Sequence, residues 1–175
     1  MSLKLNAARG QQPKILISDD TVVKVLIRIK KGKYNNPEKG WEGDYATFNK
    51  ETGSAYLHCI GFIMEGEYKR QSVHFFITLD DPDNPDSVER GLSFLRTIVD
   101  SAHGFSLDDE SPKAVSVRES YDLPKFDGLE FTGVINAIID MKTGKDKNAL
   151  YQALTVDDPR YLGKTIPDET STSKK

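Results

Sequence analysis

Alternation of apolar and polar residues with a period of two recurs in separate runs of this chain and gives way to a helical period in one long stretch. Val23, Val25, Ile27 and Ile29 alternate with Lys24, Leu26, Arg28 and Lys30. Val73, Phe75, Ile77 and Leu79 alternate with Ser72, His74, Phe76 and Thr78. Leu129, Phe131, Gly133, Ile135, Ala137, Ile139 and Met141 repeat the pattern. Successive side chains of a strand point to opposite faces, so each run predicts a strand with one apolar face. The interruption lies at 85–103, where Val88, Leu92, Leu95, Val99 and Ala102 recur at spacings of three and four, as on an amphipathic helix. Asn84 before Pro85 suits an N-cap followed by proline, Asp86 and Glu89 suit the positive end, and Gly104 suits a left-handed cap. So patterned, the chain is mainly β with one long helix.

The segments between these runs are read less directly. Residues 32–44 hold Gly32, Gly40, Gly43, Pro37, Asn35 and Asn36 and read as a loop. A second strand region covers 45–64 with a break at 50–53, and a third strand covers 68–79 after a turn at 65–67. Residues 105–128 are polar with two prolines, and AVSV at 114–117 reads as a short strand. Residues 143–146 form a hairpin loop, and 148–156 return as a strand or, given Ala, Leu and Gln, as a short helix. The expected division is a flexible segment 1–20, one domain 21–162 and a disordered tail 163–175.

Three meandering strands, a helix and a two-stranded hairpin follow the order of a five-stranded Greek-key barrel of the OB type, the helix standing between strands three and four. Residues 105–128 are an extra segment on that plan. The length of 175 residues fits one domain. No apolar run is long enough for a membrane span, and the opening MSLKLNAARGQQPK has no signal-peptide core. With Cys59 as its single cysteine, the chain has no internal disulfide, and a cytoplasmic setting is expected. No Cys/His set has zinc spacing, so neither a metal nor a cofactor is expected.

Charge is distributed unevenly. The net charge is -3, yet residues 1–75 carry 12 Lys+Arg against 8 Asp+Glu, and residues 76–175 carry 12 against 19. The basic excess gathers at 24–48, KVLIRIKKGKYNNPEKGWEGDYATF, which interleaves six cations with four aromatics. A single nucleic-acid strand is held by cations that track its phosphates and by aromatic faces that stack its bases. Arg28, Lys30, Lys31, Lys33 and Lys39 supply the first kind of group, and Tyr34, Trp41, Tyr45 and Phe48 the second. In OB barrels the loop between strands one and two is a ligand-binding element. A second candidate set, Tyr56, Phe62, Lys69, Arg70, His74 and Phe76, lies on strands two and three opposite the apolar stripe.

The run TGSAYLHCIGFIMEGEYKRQSVHFFITL, the helix GLSFLRTIVDSAHG and the end segment FDGLEFTGVINAIIDMKTGKDKNALYQALTVDDPRY together resemble small single-stranded DNA-binding proteins of tailed bacteriophages. The resemblance spans roughly residues 20–162 and lies in layout rather than in a signature motif. It implies an OB fold and sequence-independent binding of single-stranded DNA in phage replication and recombination. Phage or host replication and recombination proteins are the implied partners, with a homodimer compatible and no membrane. Bacterial proteins of this function commonly recruit partners through an acidic tail ending in phenylalanine. This chain ends PDETSTSKK, so recruitment of that kind is not expected.

Other readings are weaker. An OB-like module for a protein partner is the main alternative, a virion or assembly protein another. Glu67-Tyr68-Lys69 matches the Glu-x-Lys half of a nuclease metal site, but only Asp44 could complete it and no helix precedes Asp44. DDPDNPD at 80–86 fails the EF-hand pattern at Pro85, Asp86 and Leu92 and reads as a strand-to-helix turn. His103 beside Gly104 reads as a helix-end residue, and Cys59, in phase with Leu57 and Ile63, as a buried hydrophobe.

Overall fold

β1, Thr21–Lys30, is paired along both edges and is the centre of the sheet. The computed structural model describes Asn6 and residues 15–166. One edge of β1 pairs antiparallel with β4, Ser54–Ile63, and the other with β6, Glu130–Ile139. β5, Ser72–Asp80, pairs with the far edge of β4, and β7, Asp146–Leu154, with the far edge of β6. β3, Trp41–Asn49, continues the line of β1 beside the start of β4, and β2, Tyr34–Asn36, pairs with β3. The result is one antiparallel sheet of seven strands, curled into a half-barrel.

The curl has a steric basis. Val25 sits inside the curve between Gly61 and Gly133 on its two neighbouring strands. A Cβ at Gly61 would lie 2.8 Å from Val25 Cγ1, and one at Gly133 would lie 3.0 Å from Val25 Cγ2 and 2.8 Å from Leu150 Cδ1. Side chains at these two positions would force the strands apart. Inward residues of β1, β4, β5 and β6, among them Val25, Ile27, Leu57, Cys59, Ile63, Val73, Ile77, Phe131 and Ile135, make the core.

Helix α1, Pro85–His103, packs on β5, β6 and β7 and closes one end of the curve. It begins and ends as its caps dictate: the Asn84 side chain accepts from Ser87 N, and Gly104 is left-handed at φ 77°. Gly91 lets the helix lie directly on β5, since a Cβ there would fall 2.1 Å from the carbonyl oxygen of Thr78. No described helix is long and apolar enough to cross a membrane.

Several expectations are corrected. The strand expected at 114–117 is part of helix α2, Pro112–Glu119, capped by Ser111 with Pro112 in its first turn. Ala114 and Val117, one helical turn apart, face the protein interior, so the spacing of three outweighs the β-branched residues. A short helix α3, Leu123–Phe126, follows, capped by Asp122. The loop expected at 32–44 folds into β2, a 3-10 turn at Pro37–Lys39 and the start of β3, and the strand region expected at 45–64 divides at its break into β3 and β4, so the sheet has seven strands rather than five. The 148–156 segment is a strand, β7, over Asp146–Leu154. The third strand begins at Ser72 rather than 68, with 65–70 in a turn.

The expected flexible segment 1–20 lies largely outside the described residues, but its end is anchored. Ile17 is fully buried, its N–H donates to Asn148 Oδ1 at 2.9 Å and its carbonyl accepts from Asn148 Nδ2 at 2.8 Å. The expected disordered tail is likewise anchored where it is described. Gly163 O accepts from Lys24 Nζ at 2.6 Å, and the N–H groups of Thr165 and Ile166 donate to Ala102 O at 3.0 and 3.1 Å. Residues 167–175 lie outside the described residues.

α2 is fastened to α1 by a buried ion pair. Asp100 is wholly buried, and Arg118 reaches it with Nε at 2.8 Å from Oδ1 and Nη2 at 3.2 Å from Oδ2. Arg118 also donates to the carbonyls of Asp109 and Ser106, and Arg96 Nε lies 3.7 Å from Asp100. Burial pushes the Asp100 carboxyl above its usual range, opposed by the two arginines. Arg118→Met leaves a buried carboxylate without its main cation and is expected to cost about 3–5 kcal/mol at neutral pH. Without Arg118 the group protonates more readily, so the deficit should shrink as pH falls toward about 4. Urea unfolding of both proteins at the two pH values checks this, and an equal deficit at both would contradict it.

Candidate nucleic-acid interface

The register of three strands builds a grid on the outside of the sheet. Lys30 of β1 stands opposite His58 of β4, and His58 opposite Phe76 of β5. One step along, Arg28, Ile60 and His74 make the next row, then Leu26, Phe62 and Ser72. At the other end Thr47 of β3, Tyr56 and Thr78 make a fourth row. These residues face outward because their neighbours in sequence, such as Ile29, Leu57, Cys59, Phe75 and Ile77, fill the core. Cations therefore line the β1 side of a surface whose middle is aromatic.

The rings on this surface touch. Phe76, 63% exposed, meets Tyr56 edge-on at 5.7 Å between centroids and His58 at 4.6 Å. His58 Nε2 and His74 Nδ1 are 3.1 Å apart, one ring donating to the other. Burial first, then His74 and Lys30, hold His58 below the ordinary histidine range. Beneath the surface, burial pushes the Cys59 thiol up to about 12, which leaves it protonated and unreactive at neutral pH.

Two recesses flank Phe76. Towards β3, Asn49, Ser54, Tyr56, Phe76, Thr78 and Asp81 line one of about 310 Å³. On the other side, Val73–Phe76 of β5 and Asp146–Ala149 of β7, with Ile15, Leu16 and Ile138, line one of about 570 Å³. This second recess is the open seam of the half-barrel, where β5 and β7 approach with no ladder between them. The β6–β7 turn beside it carries Lys142 and Lys145, with Met141 93% exposed, and Lys147 follows at the start of β7.

The hairpin residues named from sequence have a different setting. Tyr34 stacks on Phe48 at 4.9 Å, and Lys31 Nζ lies 5.0 Å from the Tyr45 ring centre. Lys39 lies over Trp41 at 5.1 Å and pairs with Asp80 at 3.1 Å. Tyr34, Trp41 and Tyr45 are half-buried and pack against the core. The faces of these rings are therefore partly occupied within the hairpin. Lys31 and Lys33 remain exposed, Lys33 in left-handed backbone at φ 64°.

The structure thus brings together Arg28, Lys30, Tyr56, Phe62, His74 and Phe76. Lys31, Lys33, Tyr34, Lys39, Trp41, Tyr45 and Phe48 lie along the adjoining hairpin. Lys69 and Arg70 are exposed in the turn before β5. Arg70, at φ 79°, is off the strand, so the strand parity that grouped it with His74 and Phe76 does not apply. His58, Lys142, Lys145 and Lys147 were not among the sequence candidates. His58 was findable by its phase with Tyr56. His103 is elsewhere, 2.7 Å from the Tyr121 hydroxyl. Among the described residues no group of three or more metal-binding side chains occurs.

No protein-family model matches the chain, and no curated protein matches it. Adjacent Phe75 and Phe76 separate core from surface. Phe75→Ala should cost about 3–5 kcal/mol, as for a buried aromatic, and Phe76→Ala less than about 1 kcal/mol. Chemical unfolding of the two variants checks this, and a large loss at Phe76 would make it a structural residue instead.

Proposed function

We propose that this protein binds single-stranded DNA without sequence preference, through the outer face of β1, β4 and β5. The observation that carries the reading is the grid, in which Arg28 and Lys30 lie beside Tyr56, His58, His74 and Phe76 in strand register. Phosphates of a strand crossing β4 and β5 would meet the cations of β1, while its bases stack on Phe76 and Tyr56. Sequence tolerance follows from stacking, since every base has a π-face. No bond is made or broken, and the protein acts by covering exposed strands.

The pairing pattern supports an OB barrel as the finer description of the fold. β1, β4 and β5 take the places of its first three strands, α1 of its helix, and β6 and β7 of the closing hairpin that returns to β1. On that plan β2 and β3 elaborate the loop between the first two strands, and 140–145 is the loop between the last two. These two loops and the second and third strands are the usual oligonucleotide-binding parts of the fold. The resemblance to phage single-stranded DNA-binding proteins supports a setting in phage replication and recombination in the host cytoplasm, alongside other proteins of those processes.

Fluorescence anisotropy with a labelled poly-thymine oligonucleotide tests the proposal. Saturable binding at low salt should weaken as salt rises, with log K falling by roughly 0.7 per tenfold salt for each phosphate neutralised. Arg28→Glu with Lys30→Glu should weaken binding at least about tenfold, and Phe76→Ala by the stacking contribution of about 1–3 kcal/mol. Lys31→Glu with Lys33→Glu should weaken binding to all sequences alike. Indifference to the oligonucleotide at every salt concentration would overturn the proposal and turn the face towards a protein partner.

A further inference from the structure

Two of the chain's three histidines meet in the middle of the proposed DNA face, and nothing in sequence-independent binding requires a titratable group there. Their contact is specific. His58 Nε2 and His74 Nδ1 face each other at 3.1 Å across two neighbouring strands. A neutral pair makes this contact with one ring donating and the other accepting. One added proton preserves it, since the protonated ring still donates to its neutral neighbour. A second proton would set two N–H groups head to head. The pair is therefore built to hold one extra proton and no more while the rings stay in contact.

We propose that the His58–His74 pair is a proton-coupled phosphate subsite, which takes up one proton when a DNA phosphate docks beside Lys30. This deepens the reading of the face as a single-strand site and rests on it.

The surroundings explain why the proton arrives with the ligand. Lys30 stands opposite His58 in register on β1, and Arg28 lies one row away. Tyr56 adjoins on β4, and Asp146 and Lys147 of β7 share the seam recess with His74. In the free protein, burial, the neighbouring imidazole and Lys30 all disfavour charge on His58. A phosphate inserted among these groups reverses the balance, because an opposite charge within a few ångströms favours the protonated form. By linkage, a group that binds its proton more tightly in the complex makes the complex tighter as pH falls. The third histidine, His103, is engaged with Tyr121 on the far end of α1, away from this face.

The test measures affinity for a poly-thymine oligonucleotide at about pH 8 and about pH 6, each over a salt series. Its bases and phosphodiesters do not titrate in that range. Binding should be severalfold tighter at the lower pH, the ceiling being about tenfold for each unit by which docking raises the pair's proton affinity. The salt dependence should steepen by about 0.7 in log–log slope, the mark of one more cation on phosphate. Calorimetry in two buffers of different ionisation enthalpy should count up to one proton taken up per bound site. The double variant His58→Gln with His74→Gln should remove the pH dependence, whatever its affinity at the higher pH. Binding with the same affinity and salt slope at both pH values would overturn the proposal, as would a pH dependence that survives in the double variant. Absence of binding at either pH overturns the single-strand reading itself, a different result from the other two.

Discussion

Val25 is held between Gly61 and Gly133, and the shape of the protein follows from that contact. With no side chain on either side of it, β4 and β6 can bend around β1 closely enough to curl the sheet. The curl sends Val25, Ile27, Leu57, Val73, Ile77 and Phe131 into one core. It also turns the alternate residues of β1, β4 and β5 outward on a single continuous surface. The period of two that makes the core thus makes the candidate interface as well, and the two cannot be rearranged separately. Slipping β4 by one residue against β1 would bury His58 and expose Cys59.

Much of this plan is legible in the residues. The helix is bounded by local chemistry, Asn84-Pro85 at one end and Gly104 at the other, and such signals do not depend on the rest of the chain. The strands announce themselves by alternation. What was missed depends on contacts distant in sequence. β2 and the first residues of β3 lie in a Gly- and Asn-rich stretch that reads as a loop. They are locked together by Asn35, whose side chain donates to Asp44 Oδ1 at 2.7 Å and accepts from Asp44 N at 2.9 Å. α2 reads as a strand because its two valines mask a helix fastened by the Asp100–Arg118 pair, 18 residues apart.

The candidate site divides in the same way. Arg28, Lys30, Tyr56, Phe62, His74 and Phe76 were readable from strand phase alone. Trp41, Tyr34 and Tyr45 were readable as aromatics beside cations, but not as rings whose faces are taken up by Lys39, Phe48 and Lys31. Basic and aromatic residues interleaved in sequence can satisfy one another, and only the fold separates that outcome from an open surface. Lys142, Lys145 and Lys147 gain their interest from the approach of β7 to β5, which no local pattern encodes. Arg28, 3.8 Å from Asp127, and Lys30 are the cations that β1 sets beside the exposed rings.

The central claim is that the bases of a bound strand stack on the outer face at Phe76 rather than on the hairpin at Trp41. Photocrosslinking with a single-stranded oligonucleotide carrying iodouracil, followed by mapping of the attached peptide, tests it most directly. The account predicts adducts on the β4 and β5 peptides, at Phe76 and Tyr56. Adducts confined to Trp41, or to no aromatic of the outer face, would contradict it.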